Sequence, residues 1–171
     1  DSVPIAAEPV NAAPVDAEYV AAELDPEPTP EVPEPSPEPY DGPVNAYTGE
    51  PVTAAVAAQR PFAFIINNHR DAQPQCGVGE ADIIYETLVE SGVTRMLAIY
   101  KDITDVGAIG TIRSARPYYL DLVRAHDAIL VTAGASDEAD TYMNEQSITR
   151  IDSTKGRYDA YFYRDEARRA A

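Results

Sequence analysis

The stretch Arg60-Pro-Phe-Ala-Phe-Ile-Ile-Asn-Asn-His-Arg-Asp71 decides how this chain is read. Residues 61–66 are a compact run of aromatic and β-branched side chains, which suits an inner strand of a sheet. The run stops abruptly at Asn67, Asn68, His69, Arg70 and Asp71, a dense polar cluster at a strand terminus. Loops beyond strand ends are where mixed sheets place ligand contacts. A buried strand that delivers such a cluster therefore predicts a layered domain with a polar site at one sheet end.

Toward the C terminus, Pro74, Gly77 and Gly79 make a loop. Residues 81–89 fit a strand or a short helix, and Glu86 and Glu90 share a face in either case. Residues 95–100 are a second clear strand and 128–132 a third. Residues 106–112 read as a short strand interrupted by Gly107 and Gly110. Ser114-Ala-Arg-Pro117 looks like a helix start, since proline is tolerated in the first turn and serine can cap free N–H groups. Tyr118, Tyr119, Leu122 and Val123 then give an apolar stripe at helical spacing, ending at Ala125 or His126. Ser136 is a plausible N-cap for a second helix through about Asn144, with Asp137 and Glu138 placed well against its dipole. Residues 158–163 suggest a final aromatic strand, and 164–171 the start of another helix. The mixture predicts an α/β or α+β domain, a mixed β-sheet with packed helices.

Toward the N terminus the composition changes. Residues 1–50 hold twelve acidic groups, eleven prolines and no Lys or Arg, so they supply -12 of the total charge of -16. Proline at almost every second position over residues 25–39 blocks both helix and sheet ladder. The spaced carboxylates repel and extend the chain. This predicts a disordered, acidic, proline-rich spacer over residues 1–55 and a folded domain over 56–171. Residues 54–59 form either a short helical turn or an unstructured lead-in.

Charge and composition also exclude functions. With 13 Lys+Arg against 29 Asp+Glu, the chain is no general nucleic-acid binder, because phosphates demand a cationic surplus. A single Cys excludes a disulfide scaffold and a four-cysteine zinc site. No apolar run approaches the roughly 18 to 20 residues that cross a bilayer.

Within that frame Ile112-Arg-Ser-Ala-Arg-Pro-Tyr118 is the strongest chemical candidate. If Ser114 capped a helix from about Ala115, free first-turn N–H groups would lie between Arg113 and Arg116. Guanidinium forks and helix donors together suit a carboxylate or phosphate. Gly107 and Gly110 lack the Lys-Ser/Thr of a P-loop. His69 could act as a base oriented by Asp71, but only His126 accompanies it and no metal-ligand spacing is present, so neither metal nor cofactor is expected. Cys76 with His69 lacks the surroundings of an activated thiol. Neither Ser114 nor Ser136 sits in a nucleophile elbow. The tyrosines read mainly as core or pocket wall.

The folded segment resembles the N-terminal domain of the YerB-like family of bacterial lipoproteins, a family of unknown function. The resemblance rests on residues 60–69 and Ala72-Gln-Pro-Gln75, then Ala81-Asp-Ile-Ile-Tyr-Glu86 and Val89-Glu-Ser-Gly-Val-Thr-Arg95. Gly110-Thr-Ile-Arg-Ser-Ala-Arg-Pro-Tyr-Tyr119 is its most distinctive block, and it covers roughly residues 60–165. It implies an extracytoplasmic protein tethered to the cell membrane by a lipidated cysteine upstream of this chain, with a second, smaller domain following. Members usually carry a small residue such as serine where Cys76 stands. The family supplies no assigned catalytic residue, and its motif positions Asn68, His69, Glu86, Arg95, Arg113, Ser114 and Arg116 coincide with the polar candidates. These seven are expected to line a cleft for an anionic cell-envelope ligand or an envelope protein. The alternative is an envelope hydrolase with Glu86, or less readily His69, as acid or base, which requires a second carboxylate across the scissile bond.

Overall fold

The structure, a computed structural model, describes residues 40–166. Five strands form one mixed sheet in the order β2-β3-β1-β4-β5. They are β1 (Phe62–Asn67), β2 (Ile83–Leu88), β3 (Thr94–Tyr100), β4 (Ile129–Thr132) and β5 (Arg150–Asp152). The helices are α1 (Ala54–Ala58), α2 (Pro117–Ala125) and α3 (Asp137–Glu145). The class is α+β, as the patterning predicts. β1 lies at the centre, antiparallel to β3 and parallel to β4, which is parallel to β5. Four consecutive buried residues, Ala63 to Ile66, show why its run does not alternate: both faces are covered.

The two faces are covered differently. Ala63, Ile65, Leu97, Ile99 and Leu130 meet Tyr119, Leu120 and Val123 of α2 and Ala139 and Met143 of α3. Phe64, Ile66, Ala98, Tyr100 and Val131 face the other way, where loops replace helices. Residues 81–89 settle as strand because β3 pairs with them from Ile83↔Ile99 to Leu88↔Thr94. The β2–β3 connection is tight, with Ser91 and Gly92 both left-handed (φ 63° and 70°). Gly92 meets that requirement without a Cβ penalty.

Ser136 caps α3 as expected, its hydroxyl accepting from the Ala139 N–H at 3.3 Å. Ser136→Ala is expected to lower stability by about 1 kcal/mol, read as a shift in urea midpoint at constant slope.

Four expectations are corrected. Residues 106–112 form no strand, because β1 already has neighbours on both sides; only Gly110 and Ile112 make single bridges, to Cys76 and Ile66. Residues 158–163 form no strand either. Gly156–Tyr161 is a 3₁₀ turn, and the position beside β4 is taken by β5, whose three residues are too short to show alternation. Ser114 caps no helix: α2 starts at Pro117 with Arg116 at its N-cap, and the Ser114 hydroxyl instead donates to the Ala133 carbonyl at 2.8 Å. The chain also joins the folded unit before residue 56. Asn45 is buried and donates to Asp82 at 2.7 Å, and Tyr47 packs against the helix-side core. The proline-rich run of residues 25–39 lies outside the described residues, as does most of the helix start expected over 164–171.

Candidate functional site

The seven predicted residues come from four segments, and the topology brings all four to one end of the sheet. β1, β4 and β5 run parallel and end at Asn67, Thr132 and Asp152. β3 begins at that end, with Arg95 opposite Asn67. There β4 parts from β1: their pairing ends at Phe64↔Val131. The strap of residues 111–115 fills the fork. On the β1 side, Asn67 N–H donates to the Thr111 carbonyl and Arg113 N–H to the Ile65 carbonyl, both at 2.8 Å. On the other side, Ala133 N–H donates to the Arg113 carbonyl at 3.1 Å and Ala115 N–H to the Gly134 carbonyl at 3.0 Å. A strap between the separating ends of parallel strands occupies the crevice where open sheets hold ligands.

Three guanidiniums gather on and beside this strap. Arg95 is buried, donates to the Ser114 carbonyl at 2.6 Å and stands 3.9 Å from Glu90. Arg116 donates through Nε to Glu90 at 2.5 Å and through Nη1 to the Ala115 carbonyl at 3.0 Å. Arg113 reaches outward, exposed. Burial pushes the Arg95 guanidinium below its ordinary range, and the like charges of Arg116 and Arg113 push the same way against Glu90. The hydrogen bond from Arg116 is the main reason the Glu90 carboxyl sits down at about 2. Arg95 and Arg116 thus share one carboxylate, and Arg113 adds a third positive charge beside Arg95, in a chain of net charge -16.

A second polar group lies on the helix-free side. Asn68 donates at 2.8 Å to both Glu86 and Thr94, and Gln75 donates to the Asn68 side-chain oxygen at 2.8 Å. Thr94 in turn donates to Glu86. The carboxylate of Glu86 is thereby held as an acceptor by two neighbours.

The seven residues therefore do not form one cluster. A cleft of about 1470 Å³ is lined by His69, Asp71, Arg95 and Arg113 among others. Ser114 holds the strap, Arg116 clamps Glu90, and Asn68 with Glu86 makes the separate network. His69 stands 3.3 Å from Asp71 and accepts from its N–H at 3.2 Å, so the expected orientation of the imidazole is present. Cys76 lines the same cleft, with its backbone bridged to Gly110. Among the described residues, the hydrogen-bond partners of Glu86 are Asn68 and Thr94, and neither Asp82 nor Asp71 joins that network. Asp82 lies at the opposite end of β2, accepting from Asn45 and Lys101 N–H, and Asp71 lies on the cleft.

Sequence reading pairs Glu90 with Glu86 on one face, as a spare carboxylate for a metal or a hydrolytic site, and does not join it to the arginines. Its signal is the hairpin spacing Glu90-Ser-Gly-Val-Thr-Arg95, which turns Glu90 back toward Arg95. Asp152 was not foreseen at all. It is buried and accepts from Gly134 N–H and Thr154 N–H, each at 2.9 Å, which fixes the turn against which the strap packs.

Residues 47–171 match the family model "Protein of unknown function (DUF3048) N-terminal domain". The chain is 34% identical over 137 residues to "Putative lipoprotein YerB" of Bacillus subtilis (strain 168), covering 72% of this chain and 41% of that protein. The crystal structure of YerB from Bacillus subtilis superposes with a TM-score of 0.61 at 33% identity, over 65% of this chain and 38% of the other. The chain spans about two fifths of the length of this relative.

Proposed function

This chain belongs to the YerB-like family, whose N-terminal domain of unknown function it carries, and from that footing we propose that its folded unit is an extracytoplasmic binding domain for an acidic cell-envelope ligand. The observation that carries the reading is the gathering of three arginines at the crevice between β1 and β4, where Arg95 and Arg116 share the carboxylate of Glu90 and Arg113 stands beside Arg95. Such an arrangement offers charge-assisted, fork-shaped donors to a carboxylate or phosphate. Placement outside the cytoplasm, tethered at the membrane, rests on the lipoprotein name of the relative. The acidic proline-rich segment then serves as spacer between membrane and domain.

The test is calorimetric titration of the whole chain with a glycerol-phosphate oligomer and a muramyl peptide, as two acidic envelope fragments. At least one is expected to bind, with affinity falling as salt rises because exposed charges are screened within about 10 Å at 0.1 M. The double substitution Arg113→Ala/Arg116→Ala is expected to weaken it at least tenfold. A folded double variant that binds either fragment as tightly as the parent would remove the crevice from consideration.

A further inference from the structure

The helix-free face of the sheet is covered by loops alone. Mixed sheets usually bury both faces under helices or a second sheet. Here α2 and α3 both lie on the other side. What covers Phe62, Phe64, Val131 and Ile151 is a set of loop side chains, Ile103, Val106, Ile109 and Phe162. All eight of these residues line the same cleft of about 1470 Å³, and six of them stay half-buried, so the loop side chains pack on the sheet without sealing it. That volume exceeds the roughly 300–1,000 Å³ of an ordinary small-molecule site.

The lining changes character along the strands. Going toward the carboxyl ends, β1 passes from Phe62 and Phe64 to Asn67, β4 from Val131 to Ala133, and β5 from Ile151 to Ser153. His69, Asp71, Arg95 and Arg113 stand at the polar end, and Asp159, Arg164 and Asp165 also line the cleft. At about 3.3 Å per residue, the apolar track along β1 from Phe62 to the polar end is about 16 Å long. One cleft therefore joins an elongated apolar trough to a polar mouth that presents the guanidiniums of Arg95 and Arg113.

We propose that the ligand of this cleft is a single-chain anionic amphiphile, with its acidic head at Arg113 and Arg95 and its acyl chain between the sheet and residues 103–112. The inference rests on the anionic-ligand reading above and adds an apolar requirement that the reading lacks. Phe62, Phe64, Val131 and Ile151 give the floor of the trough, and Ile109 and Phe162 its roof. A carboxylate and a phosphate head present the same charge-assisted acceptors, so a free fatty acid and a single-chain phospholipid are both in the class.

The experiment titrates the whole chain with dodecanoate, lysophosphatidylglycerol, butyrate and dodecanol, each below its aggregation limit. Dodecanoate is expected to bind at least a hundredfold more tightly than butyrate and at least tenfold more tightly than dodecanol. The ratio of dodecanoate to lysophosphatidylglycerol affinity identifies which head is preferred. Arg113→Gln is expected to narrow the gap between acid and alcohol. Ile109→Asp is expected to weaken dodecanoate at least tenfold and leave butyrate within twofold, with Phe162→Asp serving the same purpose if the first variant does not fold. Butyrate binding as tightly as dodecanoate would overturn the amphiphile and leave the anionic crevice standing. Dodecanol binding as tightly as dodecanoate would remove Arg95 and Arg113 from the site. Binding of none of the acids would end the amphiphile proposal, and the envelope fragments above then decide the anionic reading by themselves.

Discussion

Replacing Tyr119 with alanine is expected to destabilise the folded unit by about 3–5 kcal/mol, the largest effect of any single substitution considered. Its ring is wholly buried in the layer between α2 and the sheet, among Leu120, Val123, Leu97 and Ile99. Truncation removes its transfer free energy and leaves a cavity, because close-packed surroundings relax only in part. The hydroxyl has a separate task, donating to the Arg95 carbonyl at 2.8 Å. Burial raises its pKa, so it stays a donor at neutral pH. Tyr119→Phe keeps the ring and is expected to cost only about 1 kcal/mol. Urea denaturation of both variants separates the two roles. Equal losses would mean that the hydrogen bond, and not packing, dominates at this position. A domain of this size has about 5–15 kcal/mol in total, so the alanine variant is expected to lose a large share of that margin.

The second large effect is expected at Asp152. Its carboxylate is almost fully buried at the end of β5 and accepts from Gly134 N–H, Thr154 N–H and the Thr154 hydroxyl. Asp152→Ala leaves those donors without their acceptor and is expected to cost about 2–3 kcal/mol. The loss should also appear at the crevice. The Gly134 carbonyl takes the Ala115 N–H, and that of its neighbour Ala133 takes the Ser114 hydroxyl, so the strap that bears Arg113 and leads into Arg116 loses its support. Burial opposes ionisation of Asp152, yet the N–H groups of Thr154 and Gly134, the Thr154 hydroxyl and nearby Lys155 outweigh it and hold the pKa below its ordinary 3.8. A carboxyl depressed on folding contributes stability that is fully present above its unfolded pKa and is lost as pH falls through the folded value. The urea midpoint of the parent chain is therefore expected to drop below about pH 4, and that of Asp152→Asn to drop less over the same interval. Parallel pH profiles for the two proteins would show that Asp152 does not carry this part of the acid response.

How far each feature could be read in advance follows from the range of the interaction that makes it. β1, β3 and β4 are long enough, and apolar enough, for local pattern to reveal them. α3 carries its own cap in Ser136. By contrast β5 spans three residues and exists because β4 offers a free parallel edge. Residues 106–112 look like a strand and become a cover, because β1 has no open side for most of its length. Ser114 fits a capping pattern, but the carbonyl of Ala133, 19 residues on, competes for its hydroxyl and wins. Arg113 and Arg116, grouped by their spacing, turn to different partners: one faces the cleft and the other clamps Glu90.

Composition and local order alone determined that this chain joins an acidic proline-rich segment to a layered α+β domain, with its chemistry-bearing side chains next to strand ends. Those properties depend on proline geometry, charge and the length of apolar runs, all of which act between near neighbours. Only the tertiary structure decided that β4 leaves β1 beyond Val131, that a strap fills the gap, and that one face of the sheet is covered by loops that leave a cleft. Those outcomes depend on which strand finds which edge, and that is settled by contacts between residues far apart in the chain.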